Sequence, residues 1–275
     1  MRLVLFVLAS GDALPIGLGL LAVGALVAFA RPTIGASVGL CGIVLAAASA
    51  VPPHAALYVA LAFAFAVWVA FVRRSPRVRR ISTALLVVVL AVVSTALVLD
   101  NPSPPSRSTD DRPVFVLGDS LSAGLGARGE GTWPTVLANQ IRRPVRSFAR
   151  PGARLADGLV QADALPPGDC VVLIELGGND ILGDATVESF AGNLRRLLRS
   201  VTKGNRSVLM FELPLLPLQN RYGRIQRQAG TEFGVRLIPR RVLAGAVTLP
   251  GHTTDGLHLS AAGHQWLAGK VAKWL

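Results

Sequence analysis

Three long stretches without a charged residue dominate the first 100 residues of this chain: Thr33–Val51, Ala55–Val72 and Ile81–Leu99. Each has about 18 to 20 residues, and a helix of that length can span the hydrocarbon core of a bilayer. They raise the mean hydropathy of the whole chain to +0.50, which is unusual for a soluble protein. We therefore predict a transmembrane helix in each stretch.

A fourth apolar stretch, Ala13–Ala30, has a similar length but follows Asp12 and a short apolar run, Leu3–Ala9. That run is similar to the core of a signal peptide, yet no cleavage site leading into a soluble domain comes after it. We predict four membrane helices within residues 1–99.

The formal net charge of +12 would suggest a nucleic-acid partner if the basic residues formed one patch. Instead, five arginines share the short loop between the third and fourth predicted helices: Arg73, Arg74, Arg77, Arg79 and Arg80. Short basic loops of membrane proteins stay on the cytoplasmic side. The helix over Ile81–Leu99 is then expected to run outward and to leave the rest of the chain outside the cytoplasmic membrane, with no nucleic-acid partner.

Proline, serine and charged residues fill Asp100–Arg112, a composition that predicts a linker. From Pro113 onward, apolar runs alternate with amphipathic stretches. The predicted strands are Val114–Leu117, Val145–Ala149, Val171–Glu175, Val208–Phe211 and Val235–Ile238. The predicted helices are Thr132–Ile141, Arg154–Ala164, Val187–Val201, Gln219–Phe233 and Ala261–Leu275. Apolar strands separated by helices indicate a parallel sheet covered on both faces, so residues 113–275 are expected to form one α/β domain.

Loops at the carboxyl ends of parallel strands converge on one crevice, where ligands bind. Three such loops carry Ser120, Gly152 and Asn179. Ser120 is the candidate nucleophile. The N–H groups of Ser120 and Gly152 and the side-chain amide of Asn179 would together form an oxyanion hole.

A serine hydroxyl needs a base within hydrogen-bond reach and a third group that orients the base. Asp255 and His258, near the C-terminus, supply a carboxylate and an imidazole. The two cysteines, Cys41 and Cys170, allow neither a disulfide framework nor a metal site, so we predict no metal and no cofactor.

These segments resemble the four sequence blocks of the SGNH (GDSL-type) hydrolases, and the resemblance covers Pro113 to Leu275. The blocks are Phe115–Ser122, Ala149–Ala153, Ile174–Asp180 and Asp255–Ser260. The resemblance implies a three-layer flavodoxin-like fold, with Ser120 as nucleophile, His258 as base and Asp255 as its orienting carboxylate. The wording of the first and third blocks is most similar to the bacterial branch of thioesterases, lysophospholipases and arylesterases.

Other assignments compete for these roles. Ser122 is the alternative nucleophile, and the segment lacks the final glycine of the nucleophile elbow of α/β-hydrolases. His252 and His264 are rivals for the base; we expect His252 in a flexible loop and His264 as a surface or packing residue. Asp119 and Asp180 are expected to make hydrogen bonds in turns. His54, in a loop between membrane helices, is expected to be structural.

The sequence as a whole predicts a membrane-anchored, extracytoplasmic ester hydrolase that acts through an acyl-serine. Its substrate would be a lipid, an acylated glycan or a small ester. An acyltransferase or deacetylase with the same residues, and a catalytically idle binding module, are the alternatives. Arginines scattered over the domain form a solvated surface or attract anionic lipid headgroups, which would make membrane lipids a partner.

Overall fold

The computed structural model of this chain describes residues 2–49, 55–99, 111–125, 131–183, 185–217 and 219–275. These residues form two compact units. The first consists mainly of the helices between Val7 and Leu99, and the second mainly of the residues after 110. Residues 100–110 of the predicted linker, and His54, lie outside the described residues.

Each predicted membrane segment corresponds to a helix. The helices of this part of the chain are α1 (Arg2–Ser10), α2 (Ala13–Val27), α3 (Pro32–Ala48), α4 (Ala55–Phe71) and α5 (Pro76–Leu99). The apolar run Leu3–Ala9 lies within α1, and α1 is bent by 97° from α2. The last helix begins at Pro76 rather than Ile81, so its first turns contain three of the five loop arginines.

Helix length supports fewer spans than the four predicted. Among the described residues, Pro76–Ala96 in α5 is the one helix of 21 residues that is long and apolar enough to cross a membrane. The bent pair α1 and α2 passes only when both helices are counted as one span, and α3 and α4 are shorter apolar helices of 17 residues each. At about 1.5 Å per residue, 17 residues fall short of a hydrocarbon core of about 30 Å.

Glycines bring α2 and α3 into close contact. A Cβ atom on Gly17 would lie 2.6 Å from the carbonyl oxygen of Gly42, and one on Gly24 would lie 2.7 Å from that of Gly35. Small residues at such positions let two apolar helices pack backbone against backbone. Between α4 and α5, Trp68 donates from Nε1 to Thr83 Oγ1 at 3.1 Å.

The second unit contains a parallel sheet of five strands in the order β2-β1-β3-β4-β5, which confirms the parallel sheet predicted from the sequence. The strands are β1 (Val114–Gly118), β2 (Val145–Ser147), β3 (Val171–Glu175), β4 (Ser207–Phe211) and β5 (Arg236–Ile238). Every residue of β1 and β3 is buried, as expected for central strands covered on both faces.

The helices of this unit are α6 (Ser120–Ala123), α7 (Trp133–Ile141), α8 (Asp157–Asp163), α9 (Gly178–Leu182), α10 (Val187–Val201), α11 (Asn220–Glu232), α12 (Arg240–Thr248) and α13 (Ala261–Val271). A 3₁₀ turn, Ala272–Trp274, follows α13, so the predicted final helix ends four residues early. The helix predicted from Arg154 begins only at Asp157. The cause is a turn before α8, in which the Leu155 N–H donates to Asp180 Oδ2 at 2.9 Å.

Candidate active site

A tight turn at the end of β1 positions Ser120 as the first residue of α6. Asp119 caps this short helix by accepting a hydrogen bond from the Leu121 N–H at 3.0 Å. Gln161 holds the end of the strand, since it accepts from the Gly118 N–H and donates to the Gly118 carbonyl, both at 2.9 Å. A Cβ atom on residue 118 would lie 2.5 Å from Ser122 Oγ, so only glycine lets α6 fold back this closely.

The Ser120 side chain is available for chemistry. Its residue is 9% exposed, and its hydroxyl makes no hydrogen bond to any of the described residues. Its backbone N–H also has no partner in this part of the chain, as is usual for the first residue of a helix. The N-terminus of α6 therefore offers a hydroxyl and an N–H donor at the same residue.

Ser122, the alternative nucleophile, is already engaged. Its hydroxyl donates to Glu175 Oε2 at 2.8 Å and accepts from Trp133 Nε1 at 3.2 Å, and the residue is 1% exposed. A nucleophilic serine must instead release its proton to a base and reach a substrate. These contacts favour Ser120 as the nucleophile.

Asp255 and His258 form a tightly ordered pair. His258 Nδ1 donates to Asp255 Oδ2 at 2.6 Å, while Asp255 Oδ1 accepts from the N–H groups of Leu257 and His258 at 2.9 and 2.8 Å. The hydrogen bonds from the backbone and the ring of His258 hold the pKa of the Asp255 carboxyl well below its usual range. Because Nδ1 carries the proton toward Asp255, Nε2 of the neutral ring is left as an acceptor.

The two rival histidines occupy structural positions. His264 is fully buried in α13, where Nδ1 accepts from the Trp133 N–H at 3.1 Å, and burial lowers the pKa of its ring. His264 is thus a packing residue. The ring of His252 hydrogen-bonds through Nδ1 to the Gly245 carbonyl at 3.0 Å, and its centroid lies 5.1 Å from that of the Trp266 ring, to which it is tilted by 49°.

Gly152 supplies an unpaired backbone donor in the loop after β2. Its φ of +74° lies in the left-handed region, which glycine adopts without strain. Within the described residues its N–H has no acceptor. The backbone N–H groups of Ser120 and Gly152 are thus both available to a substrate oxygen.

The Asn179 amide, the third predicted oxyanion donor, already has partners. Asn179 Nδ2 donates to Asp119 Oδ2 at 3.1 Å and to the Ala153 carbonyl at 3.0 Å. These bonds fix the amide between the loop of Ser120 and the loop of Gly152. Donation to an oxyanion would require one of them to be exchanged for the substrate.

Two buried carboxyl groups, those of Asp119 and Glu175, lie at the turn that precedes Ser120, and the sequence assigns no role to Glu175. Glu175 Oε2 accepts from the Asp119 N–H at 3.4 Å as well as from Ser122. Burial and the negative charge of Asp119 raise the pKa of Glu175 well above its usual range. Burial also raises the pKa of Asp119, while the hydrogen bond from the Leu121 N–H opposes that rise. A charged residue ending an otherwise apolar strand was the signal that could have indicated this site.

The remaining predicted turn residue, Asp180, and the two cysteines have identified positions in the structure. Asp180 Oδ2 accepts from Leu155, in agreement with the expected turn hydrogen bond. Cys170 is buried just before β3, and Cys41 is exposed on α3. Within the described ranges, no three His, Cys, Asp or Glu side chains are grouped so that they could hold a metal ion.

Comparison with known families decides what class of protein carries this arrangement. The sequence profile described as the GDSL-like Lipase/Acylhydrolase family matches residues 116–266, more than half of the chain. The chain belongs to this family. It is accordingly a serine hydrolase of the GDSL type that acts on ester bonds.

Relatives with known names resemble the same portion of this GDSL-type hydrolase. The chain is 29% identical over 174 residues to the Escherichia coli (strain K12) protein named thioesterase 1/protease 1/lysophospholipase L1. The matched region covers 59% of this chain and 82% of that protein. It is 28% identical over 186 residues to an arylesterase of Vibrio mimicus, covering 62% and 91% of the two chains.

Solved structures agree in fold. The crystal structure of TesA superposes with a TM-score of 0.53 at 26% identity, covering 58% of this chain and 96% of TesA. The psychrotrophic esterase EstA from Pseudoalteromonas sp. gives a TM-score of 0.52 at 22% identity, covering 58% and 94%. Neither match covers two thirds of this chain.

Proposed function

We propose that this GDSL-type hydrolase is anchored in the cytoplasmic membrane and cleaves acyl esters on its outer side through an acyl-serine intermediate. The mechanism is supported by the different hydrogen bonding of Ser120 and His258. Ser120 has a hydroxyl without a hydrogen-bond partner in the described residues, and the His258 ring is held at 2.6 Å by Asp255.

In the first half of the reaction, Ser120 Oγ attacks the ester carbonyl carbon while His258 Nε2 takes the hydroxyl proton. The carbonyl oxygen, on which negative charge develops, accepts hydrogen bonds from the N–H groups of Ser120 and Gly152 and from the Asn179 amide. The carbon–oxygen bond of the ester then breaks, and the alcohol leaves with the proton from His258. Asp255 stays ionised and stabilises the imidazolium that forms between these steps.

In the second half, a water molecule attacks the acyl-serine. His258 takes one proton from the water and returns it to Ser120 Oγ as the acid is released. The enzyme ends in its starting state, and each step uses only the ester, water and these groups of the protein. If a sugar or lipid hydroxyl replaced water, the same residues would transfer the acyl group instead.

The relatives support a proposal for the substrate class. The names of the two curated relatives include thioesterase, lysophospholipase and arylesterase activities. A catalytic domain outside the membrane would meet envelope lipids, acylated glycans and incoming esters rather than cytosolic acyl thioesters. We therefore propose acyl esters, with lysophospholipids foremost, as substrates.

The membrane anchor rests on two features of the chain. The stretch Pro76–Ala96 is long and apolar enough to cross a bilayer. Arginines 73 to 80 precede or begin this helix, and basic residues at a helix end favour the cytoplasmic side. Their position argues for a domain that follows α5 on the outer side.

A fluorophosphonate probe, which reacts with activated serines, tests the mechanism in the full-length protein. Purified wild-type protein should be labelled at Ser120 and should hydrolyse short and long acyl esters and lysophospholipids, whereas Ser120→Ala should do neither. Absence of labelling in folded wild-type protein would favour a catalytically idle binding module. A new ester formed with an added hydroxyl acceptor would identify an acyltransferase.

A further inference from the structure

Three exposed leucines of this domain lie within a few residues of the proposed catalytic groups in the sequence. Leu125 is 47% exposed, Leu182 is 69% exposed and Leu257 is 46% exposed. Among the described residues after 110, the only other large apolar side chains this exposed are Val160 and Leu216. Scattered apolar side chains on a surface are normal, but apolar side chains gathered around one site mark an interaction surface.

Each leucine follows a different catalytic group by only a few residues. Leu125 comes directly after α6, which Ser120 begins; Leu182 ends α9, which contains Asn179; and Leu257 lies between Asp255 and His258. The first two follow the carboxyl ends of β1 and β3, which are neighbours in the sheet. Two of the leucines thus follow neighbouring strand ends and the third lies within the Asp255–His258 segment; we call these three residues the leucine rim.

Two arginines add positive charge next to the leucine rim. Arg150 and Arg154 are exposed on either side of Gly152, and the guanidinium of Arg154 lies against Gly183, the residue after Leu182. The domain as a whole is basic, with 19 Lys and Arg against 12 Asp and Glu between Pro113 and Leu275. Apolar side chains beside arginines complement a surface that exposes both acyl chains and anionic headgroups.

We infer that the leucine rim docks on an anionic lipid surface, with Leu125, Leu182 and Leu257 among the acyl chains and Arg150 and Arg154 on the headgroup phosphates. The inference rests on the proposed function, because such docking would deliver lipid esters directly to Ser120. The predicted linker Asp100–Arg112 would hold the domain within about 40 Å of the end of α5, so the surface is always within reach.

Depth-dependent fluorescence quenching tests the docking without requiring activity. The full-length Ser120→Ala protein, with Cys41→Ser to remove the exposed thiol, is reconstituted into vesicles of phosphatidylcholine with an equal part of phosphatidylglycerol. An environment-sensitive fluorophore is attached at Leu125→Cys. The control carries the fluorophore at Lys203→Cys, an exposed position in the turn that precedes β4. This turn lies at the amino ends of the strands, whereas the candidate site follows their carboxyl ends.

The fluorophore at position 125 should shift to the blue and be quenched by lipids that carry a quencher on the acyl chain, while the fluorophore at position 203 should respond to neither. Reversing both charges, with Arg150→Glu and Arg154→Glu, should weaken the docking at least about 25-fold, because each basic side chain near an anionic surface contributes about fivefold. High salt should weaken it in the same direction.

Three outcomes would overturn the docking. The first is an equal response at positions 125 and 203, and the second is a response that persists unchanged on phosphatidylcholine alone. The third is an equal response to a lysophospholipid below its micelle concentration, which would assign the leucine rim to the binding of a single acyl chain. Because Ser120→Ala is inactive by design, these results are independent of the hydrolysis tests. Wild-type protein that hydrolyses soluble esters but fails the quenching test would leave the proposed function intact and remove only the docking.

Discussion

Ser122 donates its hydroxyl proton to Glu175 across 2.8 Å, although only one residue separates it from the hydroxyl of Ser120. The Glu175 carboxyl group, which accepts this hydrogen bond, is buried. The Ser122 hydroxyl in turn accepts a hydrogen bond from Trp133. The hydroxyl groups of the two serines of one short helix thus have different surroundings. Ser122 ties α6 to the end of β3 and to α7, and Ser120 remains available to a substrate.

The first prediction separates the two serines. Ser120→Ala should lower kcat by about three or more orders of magnitude, as in other serine-triad enzymes. Ser122→Ala should keep most of the activity but lower the free energy of unfolding by about 1 to 3 kcal/mol, because Glu175 and Trp133 lose a buried partner. Steady-state kinetics and denaturant unfolding measure the two effects. A covalent probe adduct mapped to Ser122 would reverse the assignment.

The second prediction concerns Asn179. If its amide acts when charge develops on the substrate oxygen, Asn179→Ala should reduce kcat by about 10² to 10³ with little change in KM. Gln161→Ala is a useful comparison, since Gln161 supports the same turn through Gly118 and should affect stability more than kcat. A rise in KM alone would make Asn179 a residue that binds the ground state.

The third prediction addresses the carboxylate that orients the base. Asp255→Asn should lower kcat by about 10⁴, because the amide cannot stabilise the imidazolium and can hold the ring in the wrong tautomer. The pKa of Asp255 is held below its usual range. Its hydrogen bonds therefore stabilise the folded state at pH values above the carboxyl pKa of the unfolded chain. This stabilisation is lost as the pH falls through the carboxyl pKa of the folded state. Activity that survived the substitution at neutral pH would show that another group orients His258.

The fourth prediction is a pH effect of Glu175. Its folded pKa is raised, so folding takes up a proton at every pH between the unfolded value and the folded one. Stability is then fully present below the unfolded pKa of about 4.3 and falls as the pH rises, by at most about 1.4 kcal/mol per pH unit. Glu175→Gln keeps the shape but does not titrate, so its stability relative to wild type should increase with pH. Parallel stability profiles for the two proteins would contradict a neutral Glu175.

Glu175 also shows why part of the site could not be predicted from the sequence. The proposed nucleophile and oxyanion donors lie in short motifs at strand ends, and Asp255 and His258 lie in one short motif before α13; in each motif a local pattern indicates both structure and chemistry. The hydrogen bonds from Trp133 to Ser122 and from Ser122 to Glu175 join three segments that are separated along the sequence. None of the three residues is unusual in its own segment, so no local pattern predicts these bonds. Only the parallel pairing of β1 with β3 brings Gly118 beside Glu175 and makes the carboxyl a partner of Ser122.

The helices, too, could be predicted only where a local sequence pattern indicates them. Helix α10 was predicted with the observed ends because a regular amphipathic pattern lies between Thr186, whose side chain caps it by accepting from the Ser189 N–H, and Thr202. The helices α6 and α9 have four and five residues, too few for a helical period to appear in the sequence. Their existence depends on backbone turns at Gly118 and Gly177. The four predicted membrane spans are supported only in part for a related reason, since hydropathy alone does not reveal where an apolar helix ends.

The last prediction concerns sidedness, because it decides which substrates the site can meet. Arginines 73 to 80 lie between α4 and the apolar part of α5, where positive charge most reliably keeps a loop in the cytoplasm. Alkaline phosphatase, which folds only outside the cytoplasm, should therefore be active when fused after Leu275 and inactive when fused within this loop. A matched variant with Arg73, Arg74, Arg77, Arg79 and Arg80 all changed to Gln should lose this preference, because its orientation would no longer be fixed by charge. The reverse pattern in the wild-type chain would place the hydrolase in the cytosol, where acyl thioesters become available and envelope esters do not.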